Sequence, residues 1–175
     1  MTDLNKLAEE LHAAAVEKGF WDVEEALDKH IAKMHSELSE AVQADRIGMM
    51  YDMERDGAKP EGVAAELADF VMMALDYFEY GNVTKLVFKA YYEYLNEVEK
   101  VVKNATLPVL VNSLHESVTK AHSSKIGFEE TLIATLFMVA APEVWLNARG
   151  YDLWDIIRQK MEYNRSRPAL HGRLY

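Results

Sequence analysis

Apolar positions recur at three- and four-residue steps along almost the whole chain, and no segment alternates with the period of two that a half-buried strand needs. This periodicity predicts helices over about 3–18, 23–47, 61–80, 84–104, 108–123, 127–149 and 152–164. The second shows the clearest stripe: Leu27, Ile31, Met34, Leu38 and Ala41 follow at four- and three-residue steps, as a core-facing surface does. Breaks are expected at Gly19-Phe20-Trp21, from Asp56 to Pro60, at Gly81-Asn82, at Pro108 and at Gly150. Pro142 should kink or interrupt the sixth helix, because proline removes an amide donor and crowds the preceding turn. Phe20 and Trp21 read as a hydrophobic staple with Asp22 as the N-cap of the second helix. Arg167-Pro168 ends the seventh helix, and an extended tail follows. The fold class is therefore all-α, a helical bundle.

The chain of 175 residues suits one domain, 1–175, or one domain made of two similar halves. A faint repeat raises the second description, with chance similarity between two amphipathic helix pairs as the competing explanation. HSELSEAVQADRIG (35–48) aligns without gaps on LHESVTKAHSSKIG (114–127), and Gly62 aligns on Gly127 ahead of the following helix. Glu37 then matches Glu116, but Glu40, Glu66 and Asp69 fall on Thr119, Thr131 and Ala134. Residues 108–149 would be a degenerate copy, and carboxylate chemistry would be confined to the first half.

Those carboxylates are the candidate chemistry. Glu37-x-x-Glu40 and Glu66-x-x-Asp69 each have i, i+3 spacing, which turns both acids toward one side of a helix. Between Val63 and Leu75, Glu66 and Asp69 are the only polar residues of VAAELADFVMMAL. A helix this apolar is expected to be buried, and a buried carboxylate needs a positive partner. Either a buried ion pair with Lys or Arg or a bound divalent cation would serve. Four acids on two helices favour the cation, and all-oxygen ligands favour Mg2+, with Mn2+ as a substitute. A few carboxylates completed by substrate phosphates are the usual setting of Mg2+.

Charge and composition narrow the partners. The formal net charge is −10, which disfavours nucleic acid and anionic membranes. Basic residues do gather at Arg158, Lys160, Arg165, Arg167 and Arg173, a local patch that suits a small polyphosphate. Lys160 and Asn164 share a helix face there, and the distinctive Arg167-Pro-x-x-His171-Gly follows. Cysteine is absent, so disulfide and thiolate chemistry are excluded. His30, His35, His115 and His122 form no metal-ligand spacing and read as structural. The opening helix lacks the apolar core of a signal peptide, and Thr131 to Pro142 is too short to span a bilayer. The expectation is a cytoplasmic protein.

Taken in order, these segments resemble the MazG-like, all-α nucleoside triphosphate pyrophosphohydrolase family, whose signature is E-x-x-E, a spacer, then E-x-x-D. Here 25 residues separate Glu40 from Glu66. KPEGVAAELADFVMMALDY resembles the second metal helix, KMEYNRSRPALHG the substrate-binding tail and KGFWD the opening turn. The likeness covers about 18–80, with the acidic site, and 150–172 within the helix and tail of 150–175. The middle, about 82–148, departs from it.

The resemblance implies a bundle of the all-α NTP pyrophosphatase type. It also implies Mg2+-dependent hydrolysis of a nucleoside or deoxynucleoside triphosphate to the monophosphate and pyrophosphate, by a homodimer or homotetramer. Carried across, Glu37, Glu40, Glu66 and Asp69 hold metal. Glu40 serves as the proton acceptor, with Glu37 beside it in the catalytic pair. Lys160 and Asn164 meet the phosphates, Arg167, His171 and Lys33 are further substrate contacts, and Trp21 borders the base. The alternative is a non-catalytic helical nucleotide-binding or regulatory protein that kept the fold. A third reading is a structural bundle that merely holds a metal.

Overall fold

A computed structural model describes residues 3–52 and 59–172, so Asp56, Gly57 and Ala58 of the expected break, and Arg173 of the basic run, lie outside the described residues. Among those described, the chain is all-α. The helices are α1 (Leu4–Glu17), α2 (Ala26–Arg46), α3 (Val63–Tyr80), α4 (Thr84–Val102), α5 (Leu107–His122), α6 (Phe128–Asn147) and α7 (Leu153–Arg165). A short 3-10 turn, Ala169–Gly172, follows. One isolated bridge, Asp52 with Glu61, is the only extended pairing among the described residues. No helix among the described residues is long and apolar enough to cross a membrane.

The centre of the bundle is α3, on which α1, α2, α6 and α7 all pack. Its sequence explains the position. Ala64, Ala65, Ala68 and Ala74 let neighbouring helices approach closely, while Leu67, Phe70, Val71, Leu75 and Phe78 fill the space between them; all nine are fully buried. α2 lies antiparallel to α3: His30 meets Met73 near one end, and Met49 and Met50 meet the start of α3 at the other.

That start is tightly specified. The amides of Val63 and Ala64 donate to the carbonyls of Met49 and Met50 (3.0 and 2.9 Å), closing first-turn donors that the helix cannot satisfy itself. Gly62 sits at φ +99, and a β-carbon there would lie 2.9 Å from the Met50 carbonyl. Only glycine accommodates both the dihedral and the approach. The junction thereby fixes the register of α3 against α2, and with it the height of Glu66 opposite Glu37.

Three local expectations change. Helix α2 begins at Ala26, after Glu25 in the left-handed region at φ 56, and Asp22 caps nothing. The cause is tertiary: the indole of Trp21 is drawn onto Asp76 of α3, which holds residues 19–25 in an irregular turn. The interruption expected at Pro142 does not occur, and α6 runs through it. Residues 138–142 are all buried, so packing on both flanks outweighs the missing amide bond. In the tail, Leu170 and His171 are not extended but adopt left-handed dihedrals, φ 48 and 52.

The two aligned segments occupy comparable helix pairs. α2 packs on α3, α5 packs on α6, and Gly62 and Gly127 each immediately precede the second helix of a pair. α2 and α5 also touch each other, with His35 Nδ1 2.7 Å from His115 Nδ1. In the second pair, Glu116 is an exposed acid bound to Lys120 (2.7 Å).

Candidate metal centre

Three carboxylates converge where α2 and α3 face each other. Glu37, Glu40 and Glu66 each place an oxygen within 4.8 Å of the other two. Oxygens bound to one divalent ion lie at most about 4–5 Å apart, so one ion can reach all three. Glu37 and Glu66 are buried at 8% and 7% exposure, whereas Glu40 is exposed. The i, i+3 spacing on α2 brings Glu37 and Glu40 to the seam, and the junction at Gly62 lifts Glu66 to meet them.

The electrostatics are those of a site short of positive charge. Burial pushes the Glu37 carboxyl up to about 8; Asp69, Glu40 and Glu66 add to the shift, and Lys33 opposes it. Burial also raises Glu66, opposed chiefly by Lys160 and reinforced by Asp69. Most telling is Glu66 Oε2, a buried oxygen with no hydrogen-bond partner among the described residues. An orphaned acceptor in a protein interior is costly unless something fills the gap. A hard divalent cation fits: the donors are all oxygen, and the buried Glu66 carboxylate keeps an acceptor to offer.

Asp69 takes a different part. Its Oδ2 lies 2.5 Å from the Lys160 ammonium, which also donates to the Ala65 carbonyl (3.2 Å). Asp69 is therefore not among the three converging carboxylates. Lys160, only 2% exposed, lies beneath the site and is not part of the cavity wall. Of the two readings weighed for the buried acids, the ion pair is present at Asp69, while Glu37, Glu40 and Glu66 form no ion pair among the described residues.

Beside the carboxylates opens a cavity of about 800 Å³, within the range of small-molecule sites. Glu37, Glu40 and Asp69 form one part of its wall, and Lys33, Lys59 and Arg167 supply positive charge. The Lys33 ammonium stands over the Phe20 ring (5.0 Å), one helical turn from Glu37. Asn164 and His171 also face the cavity, and Asn164 Oδ1 accepts from the Arg167 guanidinium (3.3 Å). The tail is fastened across α1. Leu170 donates its amide to the Lys18 carbonyl (2.8 Å), the Lys18 ammonium binds the carbonyls of Arg165 and Arg167, and His171 meets Phe20 edge-on (5.0 Å).

The inner wall carries Leu11, Met72, Met73, His30 and Asp76. Trp21 is not in that wall. It stands behind, stacked between His30 and Tyr80 (5.0 and 4.1 Å), with its indole donating to Asp76 (3.1 Å). Of the residues singled out in the sequence, the cavity brings together Glu37, Glu40, Asp69, Lys33, Asn164, Arg167 and His171; Glu66 joins from below. Lys160 and Trp21 support from behind. Sequence reasoning passed over Asp76, His12, Lys18 and Lys59. Asp76 had a legible signal, lying seven residues beyond Asp69 on the same face of α3.

The chain matches no protein-family model, no curated protein and no solved structure.

Proposed function

We propose that this protein hydrolyses a nucleoside triphosphate to the monophosphate and pyrophosphate, with Mg2+ held by Glu37, Glu40 and Glu66. The observation that carries the reading is the convergence of three carboxylates from two helices, one with an orphaned oxygen, beside a cavity of nucleotide size edged with lysine and arginine. When bound, Mg2+ supplies charge neutralisation on the polyphosphate and a more acidic water.

The chain's own groups divide the remaining work. Lys33, Lys59 and Arg167 attract and orient the phosphates, with Asn164 as a neutral donor beside Arg167. Glu40 is the exposed acid of the three; its Oε1 accepts from Ser36 (3.2 Å), which holds the carboxylate in place. It is the group suited to take a proton from attacking water. Lys160 acts from beneath, holding Asp69 rather than touching phosphate.

Incubation with a panel of ribo- and deoxyribonucleoside triphosphates tests the reading. Pyrophosphate release that requires Mg2+ supports it; inorganic phosphate release or none contradicts it. Glu40→Gln should retain nucleotide binding, measured by calorimetry, and lose about 100-fold in turnover, as loss of a general base does. The Asp69–Lys160 ion pair favours a second reading, a nucleotide-binding protein without turnover. Nucleotide binding that is indifferent to Mg2+ and yields no product selects it.

A further inference from the structure

The inner wall of the cavity holds two polar groups, Asp76 and His30, whose facing atoms Oδ2 and Nδ1 stand 3.7 Å apart, beyond hydrogen-bond distance. His30 Nε2 lies 2.9 Å from the Met73 carbonyl oxygen, which can only accept, so Nε2 carries the ring hydrogen. Nδ1 of the neutral ring is then an acceptor. Burial holds His30 toward that neutral form. Across from it, Asp76 directs Oδ1 to His12 Nδ1 (2.6 Å) and to the Trp21 indole (3.1 Å). Oδ2 is left with the longer branch of the same indole contact (3.3 Å) and with His30 Nδ1 at 3.7 Å. Oδ2 and Nδ1 are thus neighbouring acceptors on the wall of a cavity, and no further donor among the described residues bonds either.

Such a pair asks for a ligand nitrogen that carries two hydrogens. A carbonyl oxygen placed there would meet two lone pairs, and a water is the weaker alternative in a wall otherwise lined by Leu11, Met72 and Met73. The location also suits one end of a nucleotide. His30 precedes Glu37 by seven residues on α2, and Asp76 follows Asp69 by seven on α3. Two helical turns place the acceptor pair about 10.5 Å along the seam from the carboxylates and on the same face. That separation is of the order spanned by a sugar and a base.

We propose that Asp76 and His30 read the exocyclic amine of the substrate's base, giving preference to cytosine, adenine or guanine nucleotides over uracil and thymine nucleotides. The inference rests on the proposed nucleotide chemistry and adds the class of base. Trp21, His12 and Tyr80 are positioning residues: they orient the carboxylate and the imidazole from behind.

CTP and UTP form the cleanest comparison, because a cytosine amine replaces a uracil carbonyl. The ratio of kcat/KM for CTP over UTP should be about 100, since a site built for a hydrogen-bonding group strongly rejects the analogue that lacks it. CMP and UMP binding, measured by calorimetry without metal, should show the same order. In Asp76→Asn the amide oxygen can keep His12 and Trp21 while the amide nitrogen donates to His30, so the wall satisfies itself and the ratio should fall toward 1. His30→Gln is the second variant, checked with the first by circular dichroism and melting. If neither folds, the wild-type ratio decides. Equal use of CTP and UTP, preference for UTP, or an unchanged ratio in a folded variant overturns the base assignment and leaves the nucleotide reading intact. Failure to bind or hydrolyse any nucleotide overturns both.

Discussion

In metal-free buffer the folded protein should lose stability as pH rises from about 5 to about 8, and Mg2+ should restore most of the loss at the alkaline end. The cause is Glu37. Its carboxyl has an ordinary value of 4.5 and is pushed up to about 8 by burial and by Asp69, Glu40 and Glu66. Between those values the folded chain holds a proton that the unfolded chain has released. Stability must then decline with pH across that window and level off beyond it. A shift of this size corresponds to a few kcal/mol, on the order of 3–5. The predicted direction is opposite to that of a salt-bridged carboxylate, whose contribution is lost toward acid. A bound divalent cation reverses the balance by favouring the ionised acid. Melting temperatures at pH 5.5 and 8.5, each in EDTA and in Mg2+, separate the terms. The account expects a marked drop with pH in EDTA, a larger Mg2+ gain at pH 8.5 than at 5.5, and flattening of both in Glu37→Gln. A melting temperature independent of pH in EDTA would show that Glu37 is not strained.

The second large effect belongs to Lys160. Truncation to methionine keeps the buried stem but leaves the Asp69 carboxylate without its cationic partner and removes a second donor from the Ala65 carbonyl. Breaking one side of a buried ion pair costs about 3–5 kcal/mol, and the 20% exposure of the Asp69 side chain argues for the lower part of that range. Lys160→Met should therefore shift the urea midpoint strongly downward. Replacing both partners, Asp69→Asn with Lys160→Met, should recover much of the loss, because no charge is then stranded. A direct phosphate contact predicts the reverse pattern: unchanged unfolding and a raised nucleotide KM. The two assignments for this lysine are distinguished by measuring both quantities on one variant.

The sequence disclosed most where a residue conflicted with its neighbours. Glu66 and Asp69 stood out because everything around them was apolar, and α3 is indeed the buried centre. Helical periodicity sufficed for the all-α class, since each helix carries its own local signal. What periodicity could not convey was pairing in space. Nothing in KMEYN says that Lys160 turns inward to Asp69, 91 residues earlier, rather than outward to a ligand. Trp21 was legible as a special aromatic but not as the support of Asp76, a contact that depends on the packing of the α1–α2 turn on α3. Asp76 was legible only through its seven-residue spacing from Asp69, because it begins the more polar end of α3, where an acid looks ordinary until His12 and His30 are seen beside it. Pro142 does not interrupt α6 because burial on both sides overrides the local rule against an internal proline.

The central claim is that Glu37, Glu40 and Glu66 together hold one divalent cation. Titration of Mn2+ followed by electron paramagnetic resonance measures this without reference to activity. The account predicts loss of the free-ion signal as sites fill in the wild-type protein, competition by Mg2+, and at least a tenfold weaker affinity in Glu66→Gln. Equal Mn2+ affinity in wild type and Glu66→Gln, with both proteins folded, would contradict it.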